Sequence, residues 1–179
     1  KSLSSDWNSV VKTIYELEKF GLELNKKSYF EDDLNQILLE KKSSDEKIIS
    51  ILNHVRTNVK WNGSNGYSCH EGVRKAYQQK TGNTAEINLM LTMLLRSVGI
   101  NADPVVLSTV NRGFLLAYNP SISQLNYVIA SFLDKDKIYL LDGAYKHSEI
   151  NMIAPKALNY YGLIMGKQDV KQINIFYPE

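Results

Sequence analysis

The chain has 179 residues, of which 44% are apolar and 22% charged, and its 21 basic and 19 acidic residues leave a net charge of +2. A chain of this size buries a continuous core unaided, and its charge balance argues against nucleic acid as a partner. The one cysteine, Cys69, excludes an intrachain disulfide and a Cys-rich zinc site, and no apolar run is long enough to span a bilayer. The first residue is Lys1, with neither Met nor an apolar leader, so the sequence reads as a piece of a larger multidomain protein.

Asp6 to Leu24 reads as one amphipathic helix, with Trp7, Val10, Val11, Ile14 and Leu17 at helical spacing. Asn25 to Lys42 reads as a loop with a short helix anchored by Leu34, Ile37 and Leu38. Ser43 with Glu46 has capping-box spacing, and Ile48, Ile51, Leu52, Val55 and Val59 form the stripe of a second long helix that stops before Asn62-Gly63. Asn62 to Gly72 holds Gly63, Gly66 and Gly72 and reads as a loop carrying Cys69 and His70. Val73 to Lys80 is a short helix ended by Gly82. Asn83 with Glu86 opens the next helix, which is apolar on nearly every face, as a buried central helix is, and ends at Gly99.

Strand signals take over after Pro104. Val105 to Leu107 reads as a short strand and Asn111 to Pro120 as a loop. Tyr127 to Leu133 and Lys137 to Leu141 read as a hairpin turning at Asp134-Lys135-Asp136, and Ile173 to Tyr177 as one more strand. The expected fold is α+β, a central helix packed on a small antiparallel sheet and preceded by helices. We expect a single domain over 1–179, with a helical N-terminal region over 1–42, a core over 43–150 and a C-terminal extension over 151–179.

Gly82-Asn83-Thr84 opens the central helix, Leu95-Arg96-Ser97-Val98-Gly99-Ile100 closes it, Asn126-Tyr127 starts the hairpin and Asp142 follows its second strand. In this order the segments resemble the transglutaminase-like superfamily, whose fold is related to papain-like cysteine proteases. The family pattern is Gly-x-Cys at the helix start, a Leu-Arg-x-x-Gly-Ile ending, a His on one strand and an Asp after the next. The resemblance covers roughly 44–145. It implies a thiolate stabilised at a helix N-terminus, a His that takes its proton and an Asp that orients the His. Carried onto this chain, the nucleophile position falls on Thr84, the His position on Tyr127 and the Asp position on Asp142, of which only Asp142 is retained. Tyr127 and Asp142 lie symmetrically about a turn centred near Lys135, so they are expected opposite each other on adjacent strands.

The substitutions remove the chemistry. A threonine hydroxyl needs a base close by, and tyrosine, with a pKa near ~10, is a poor base at neutral pH. Thr84 is therefore expected to cap or pack the first helical turn. Tyr127 is expected to fill the His volume, with its hydroxyl on Asp142 or Thr84. Trp61, Asn83, Gln124, Asn126 and His147 are candidate lining residues of the cleft, against ordinary core or surface roles. Aromatics at loops, Tyr118, Tyr145, Tyr160 and Tyr161 among them, suit either peptide or sugar recognition or a core boundary. Cys69 with His70 or His147 is the alternative nucleophile, against a buried structural thiol. His54 reads as a packed or surface residue. No His pair has metal-ligand spacing, and no metal or cofactor is called for.

Two readings follow. The first is a non-catalytic domain serving as a binding or scaffolding module, with flanking domains as partners and a peptide or glycan as ligand. By resemblance alone, domains with the Lys-Thr-Gly-Asn helix start and Asn-Tyr in place of Asn-His sit in larger exported bacterial proteins of the periplasm or envelope. The second is an active thiol peptidase or acyl transferase using Cys69, which requires the 62–72 loop to fold over the helix start.

Overall fold

A computed structural model describes residues 7–115, 121–166 and 169–175. Tyr118, Asp6 and the expected strand end at 176–177 lie outside them, as does the stretch 116–120 of the expected loop.

The helices are α1 (Trp7–Glu16), α2 (Glu31–Ile37), α3 (Ser44–Asn58), α4 (Val73–Gln79) and α5 (Thr84–Ser97). Both capping boxes form. Ser43 Oγ accepts from Glu46 N, and Asn83 Oδ1 accepts from Glu86 N at 2.8 Å, with each Glu carboxylate returning to the cap's own N–H. These pairs satisfy helix-end N–H groups that would otherwise be unpaired. The α3 stripe is buried as expected, and so are all residues from Thr84 to Leu95 of α5. Gly99, at φ +81°, lets the chain turn away after α5, with Ile100 N donating back to Leu95 O at 3.1 Å.

Five strands form one antiparallel sheet in the order β5-β4-β3-β6-β7: β3 (Ala102–Leu107), β4 (Tyr127–Asp134), β5 (Lys137–Leu141), β6 (Tyr160–Met165) and β7 (Val170–Ile175). Two-residue strands β1 (Lys60–Trp61) and β2 (Thr81–Gly82) pair in parallel and set Trp61 beside Gly82. Because side chains alternate across a strand, the sheet feeds two cores. Val106, Val128, Ala130 and Phe132 join the core of α5, which lies between the sheet and the helical layer. Val105, Leu107, Tyr127 and Ile129 face the other way, under Ile153, Ala154 and Ala157 of the segment after β5. The architecture is thus α+β, with the central helix on an antiparallel sheet.

Several sequence expectations are corrected. The first helix does not run to Leu24. It breaks at Leu17, which is extended at ψ 131°, and resumes as a π-turn (Glu18–Leu22) and a 3-10 turn (Glu23–Asn25). Gly21 permits the break, since a Cβ there would stand 1.8 Å from Tyr15 O. The short helix α4 is ended by Lys80, left-handed at φ 59°, and Gly82 belongs to β2 instead. Helix α3 stops at Asn58, leaving Trp61 on β1. The segment expected as an extension supplies β6 and β7, and β6 pairs directly with the central strand β3. The hairpin closes over two residues, Lys135-Asp136, with Asp134 paired to Lys137 and Ala130 to Leu141. One further step of that register sets Asp142 beside Ile129, so Tyr127 and Asp142 are diagonal neighbours, not opposed ones.

Candidate functional site

Thr84 is the first residue of α5 and is fully buried. Its hydroxyl donates to Gly66 O and accepts from Gly66 N, both at 2.9 Å. Thr84 N donates to Ser64 O at 3.3 Å, and Asn83 Nδ2 to Ser68 O at 3.0 Å. The 62–72 loop therefore does lie over the helix start. Two buried carboxylates hold its far end. Glu86 Oε1 accepts from Glu71 N (2.5 Å) and Gly72 N (3.0 Å), and Glu23 Oε2 accepts from Val73 N (2.8 Å). Neither Glu23 nor Glu86 was singled out in the sequence as a loop anchor. The capping spacing of Glu86 was visible, but its second role depends on residues 14 and 15 positions away.

Tyr127 opens β4 and its hydroxyl donates to Asp142 Oδ2 at 2.8 Å. Asp142, fully buried just past β5, accepts on the same oxygen from Ala154 N at 3.2 Å. Its other oxygen accepts from Asn88 Nδ2 and Ala144 N, both at 3.1 Å. Burial raises the Asp142 pKa above the ordinary carboxylate range, and the bonds from Asn88, Tyr127, Ala154 and Ala144 oppose the rise. Burial, reinforced by the Asp142 charge, pushes the Tyr127 phenol further from ionisation at neutral pH. Asn88, on α5, is the hub that the sequence did not reveal. It also donates to Val128 O and accepts from Gly143 N, both at 2.8 Å, and so locks helix, strand and Asp142 together.

The rim of the site is Trp61, Asn65 and Lys156. Trp61 is 39% exposed, with its indole N–H on Ser64 O at 2.8 Å. Lys156, on the 3-10 turn Pro155–Ala157, places Nζ 3.6 Å from the Trp61 ring centroid, 5.4 Å from that of Tyr127 and 3.1 Å from Asn65 Oδ1. Burial lowers the Lys156 pKa, while the Asp142 charge acts the other way. Lys156 gave no sequence signal, because only the chain reversal after β5 brings it to Trp61 and Asn65.

Of the remaining candidates, Asn83 stands at the same helix start as Thr84. Asn83 is buried and engaged in its cap. Asn126 braces the end of β3, its amide bonding Thr109 N and Oγ1 at 2.8 Å each. Gln124 is half-buried in a 3-10 turn over Ile122–Gln124. His147 is exposed and sits edge-on to Tyr145, at 5.5 Å between centroids. Cys69 is buried in the main core cluster, and burial together with the charges of Glu23 and Glu86 raises its thiol well above the usual range. Its neighbour His70 is exposed, with its ring nitrogen 3.5 Å from Glu71. No described cluster of three or more His, Cys, Asp or Glu residues has the geometry of a metal site.

The model of the transglutaminase-like superfamily matches residues 33–135, more than half of the sequence, and the chain belongs to that superfamily. The match includes Thr84 and Tyr127. No curated protein matches the chain. A solved structure of a candidate protease from Parabacteroides distasonis ATCC 8503 superimposes with a TM-score of 0.64 at 12% identity, over 95% of this chain and 31% of that one. A second, described as a TGase, aligns at a TM-score of 0.44 and 12% identity, over 75% of this chain and 36% of that one. The chain thus spans about a third of the length of each, 31% and 36%. At such identity the first likeness is one of fold.

Proposed function

We propose that this is a non-catalytic transglutaminase-like domain that acts as a binding or scaffolding module within a larger bacterial protein. The observation that carries the reading is the state of Thr84. At the nucleophile position stands a hydroxyl, not a thiol, which gives its proton to Gly66 O and accepts from Gly66 N. At the His position Tyr127 donates its proton to Asp142 and has no basic nitrogen to offer. The surface where Trp61, Asn65 and Lys156 meet is the one we assign to a peptide or glycan from a partner. By family resemblance the host is an exported protein of the periplasm or envelope, with its flanking domains as partners. In keeping with that, the chain covers 31% of the Parabacteroides structure. None of the described helices is long and apolar enough to cross a membrane.

The alternative, thiol chemistry from Cys69, has its loop in place over the helix start. The sulfur, however, packs into the core, and burial disfavours its thiolate. Iodoacetamide labelling of the folded chain from about pH 5 to about pH 10 tests the reading. The expected result is no Cys69 alkylation until denaturant unfolds the protein, and no hydrolysis of casein or incorporation of a dansylated amine above the blank. A labelling midpoint well below pH 7 that moves when His70 or His147 is replaced would overturn it.

A further inference from the structure

The helical layer holds an open pocket of about 330 Å³ that shares no lining residue with the Thr84 site. Three helices end at it. Helix α2 contributes Gln36 and Ile37, α3 its last residue Asn58, and α4 its cap Lys80. The carbonyl end of a helix carries partial negative charge, most of all here that of the fifteen-residue α3. Asp33 adds a full charge of the same sign, so the pocket favours a cation. The bonds within it narrow the kind. Tyr77 donates to Asp33 Oδ2 at 2.5 Å and faces His54 Nε2 at 2.8 Å. Since an ionised carboxylate only accepts, the imidazole donates from Nε2, and its Nδ1 is met by the Asn58 amide nitrogen at 3.1 Å. Both ring nitrogens are thus engaged, and no imidazole lone pair is left for a transition metal. Among the described lining residues Asp33 is the one carboxylate, where calcium takes several. No described group pairs with Asp33 Oδ1, Asn58 Oδ1, the Gln36 amide or Lys80 Nζ. Three accepting oxygens match the three N–H groups of a primary ammonium. Lys80 would repel a bare amine and calls for a carboxylate on the same ligand.

We propose that this pocket between α2, α3 and α4 binds a free α-amino acid. The ligand's ammonium bonds Asp33 Oδ1, Asn58 Oδ1 and the Gln36 amide oxygen, and its carboxylate pairs with Lys80 Nζ. The half-buried Tyr77 and His54 do not touch the ligand's charges. They orient Asp33 and Asn58 before it arrives, which lowers the cost of ordering the site. A volume of about 330 Å³ lies at the small end of ligand pockets and suits an amino acid with a short side chain.

The test is a titration of the ¹⁵N-labelled intact chain with L-alanine at constant ionic strength, followed in amide correlation spectra to about 100 mM. Ethylamine and propionate serve as the two halves of the ligand. L-alanine is expected to give saturable shifts confined to the amides of 33–37, 54–58 and 77–80 and to the side-chain amides of Gln36 and Asn58. Ethylamine should move the same signals with lower affinity, and propionate should leave them in place. Asp33→Asn should weaken L-alanine binding about tenfold, and Lys80→Met should erase its advantage over ethylamine. Both positions are exposed, and spectra unchanged outside the pocket verify that each variant is folded. No saturable shift with L-alanine, equal shifts with propionate, or an affinity unchanged in Asp33→Asn would overturn the site. Turnover in the assays of the preceding subsection bears on Thr84 and Cys69 and leaves this pocket untouched, so the two readings fail separately.

Discussion

Two tyrosines in this molecule donate to aspartates, in surroundings that differ mainly in water. Tyr127 reaches Asp142 at 2.8 Å inside the protein, and Tyr77 reaches Asp33 at 2.5 Å in an open pocket of about 330 Å³ between α2, α3 and α4. At the buried pair four donors converge on one carboxylate, two of them backbone N–H groups. At the open pair the chain of bonds continues outward. Tyr77 accepts from His54 Nε2 at 2.8 Å, and His54 Nδ1 faces the Asn58 amide nitrogen at 3.1 Å. Since an ionised carboxylate only accepts, Tyr77 donates to Asp33, and His54 is neutral with its proton on Nε2. Where solvent is absent, each donor depends on its single partner. Where solvent is present, water replaces a lost one. The same Tyr–Asp bond is therefore a structural keystone in one place and an adjustable contact in the other.

The largest expected effect separates the two aspartates. Asp142→Ala orphans one N–H of the Asn88 amide, the Tyr127 hydroxyl and two backbone N–H groups in a dry site, and should cost about 3–5 kcal/mol in urea unfolding. Asp33→Ala, at an exposed position, should fall within the range of ordinary surface substitutions. Equal costs would break the comparison, because burial would then not be what distinguishes the pairs.

Thr84→Val sharpens it next. Valine keeps the shape of threonine but leaves both Gly66 N and Gly66 O without their partner. A loss of about 1–3 kcal/mol is expected, with faster hydrogen exchange at the Gly66 amide. A neutral substitution with unchanged exchange would mean that the loop is held by its other bonds, from Thr84 N, Asn83, Trp61, Glu86 and Glu23.

What could be read from the sequence follows the same division between local and distant causes. The capping pairs Ser43–Glu46 and Asn83–Glu86, the α3 stripe, the all-apolar α5 and the strands of the hairpin were legible because each signal lies within one element. The break at Leu17 was not, since it depends on Gly21 passing close to Tyr15 O, a contact that periodicity does not register. The hairpin register was misread because the turn has two residues, with Lys135 at φ +54°, not three. Strand β6 was missed, although it pairs with its neighbour β7 as well as with β3, more than fifty residues earlier. At the site, Thr84, Tyr127 and Asp142 came from the order of motifs, whereas Asn88 and Lys156 reach the same place only through packing. Asn83 fills the cap that its spacing to Glu86 announces, whereas Asn126 braces the loop after β3, a role that a lone asparagine does not announce.

The smallest expected effect concerns pH, and here the two pairs should differ in sign. Burial depresses the His54 pKa below its ordinary 6.5, while the Asp33 charge pulls it back. The groups facing the ring are Asp33 from α2, Tyr77 from α4 and Asn58 from its own helix, with Lys80 on the pocket wall. Between the depressed folded value and 6.5 the unfolded chain binds more protons than the folded one. The contribution of His54 to stability is therefore full above 6.5 and is lost as pH falls through the folded value. Charging the ring also turns an Nδ1–H toward the Asn58 amide nitrogen, which must flip to accept it. Asp142 has the opposite sign, since its raised pKa makes its contribution greatest at low pH and lost as pH rises through the folded value. His54→Gln removes the titration while keeping an amide within reach of Tyr77. Thermal unfolding from about pH 7.5 to about pH 5 should then show the unaltered chain losing stability relative to His54→Gln as pH falls. Parallel curves would mean that His54 charges as easily in the folded chain as in the unfolded one, and the pocket would be as wet around the imidazole as it is around Asp33.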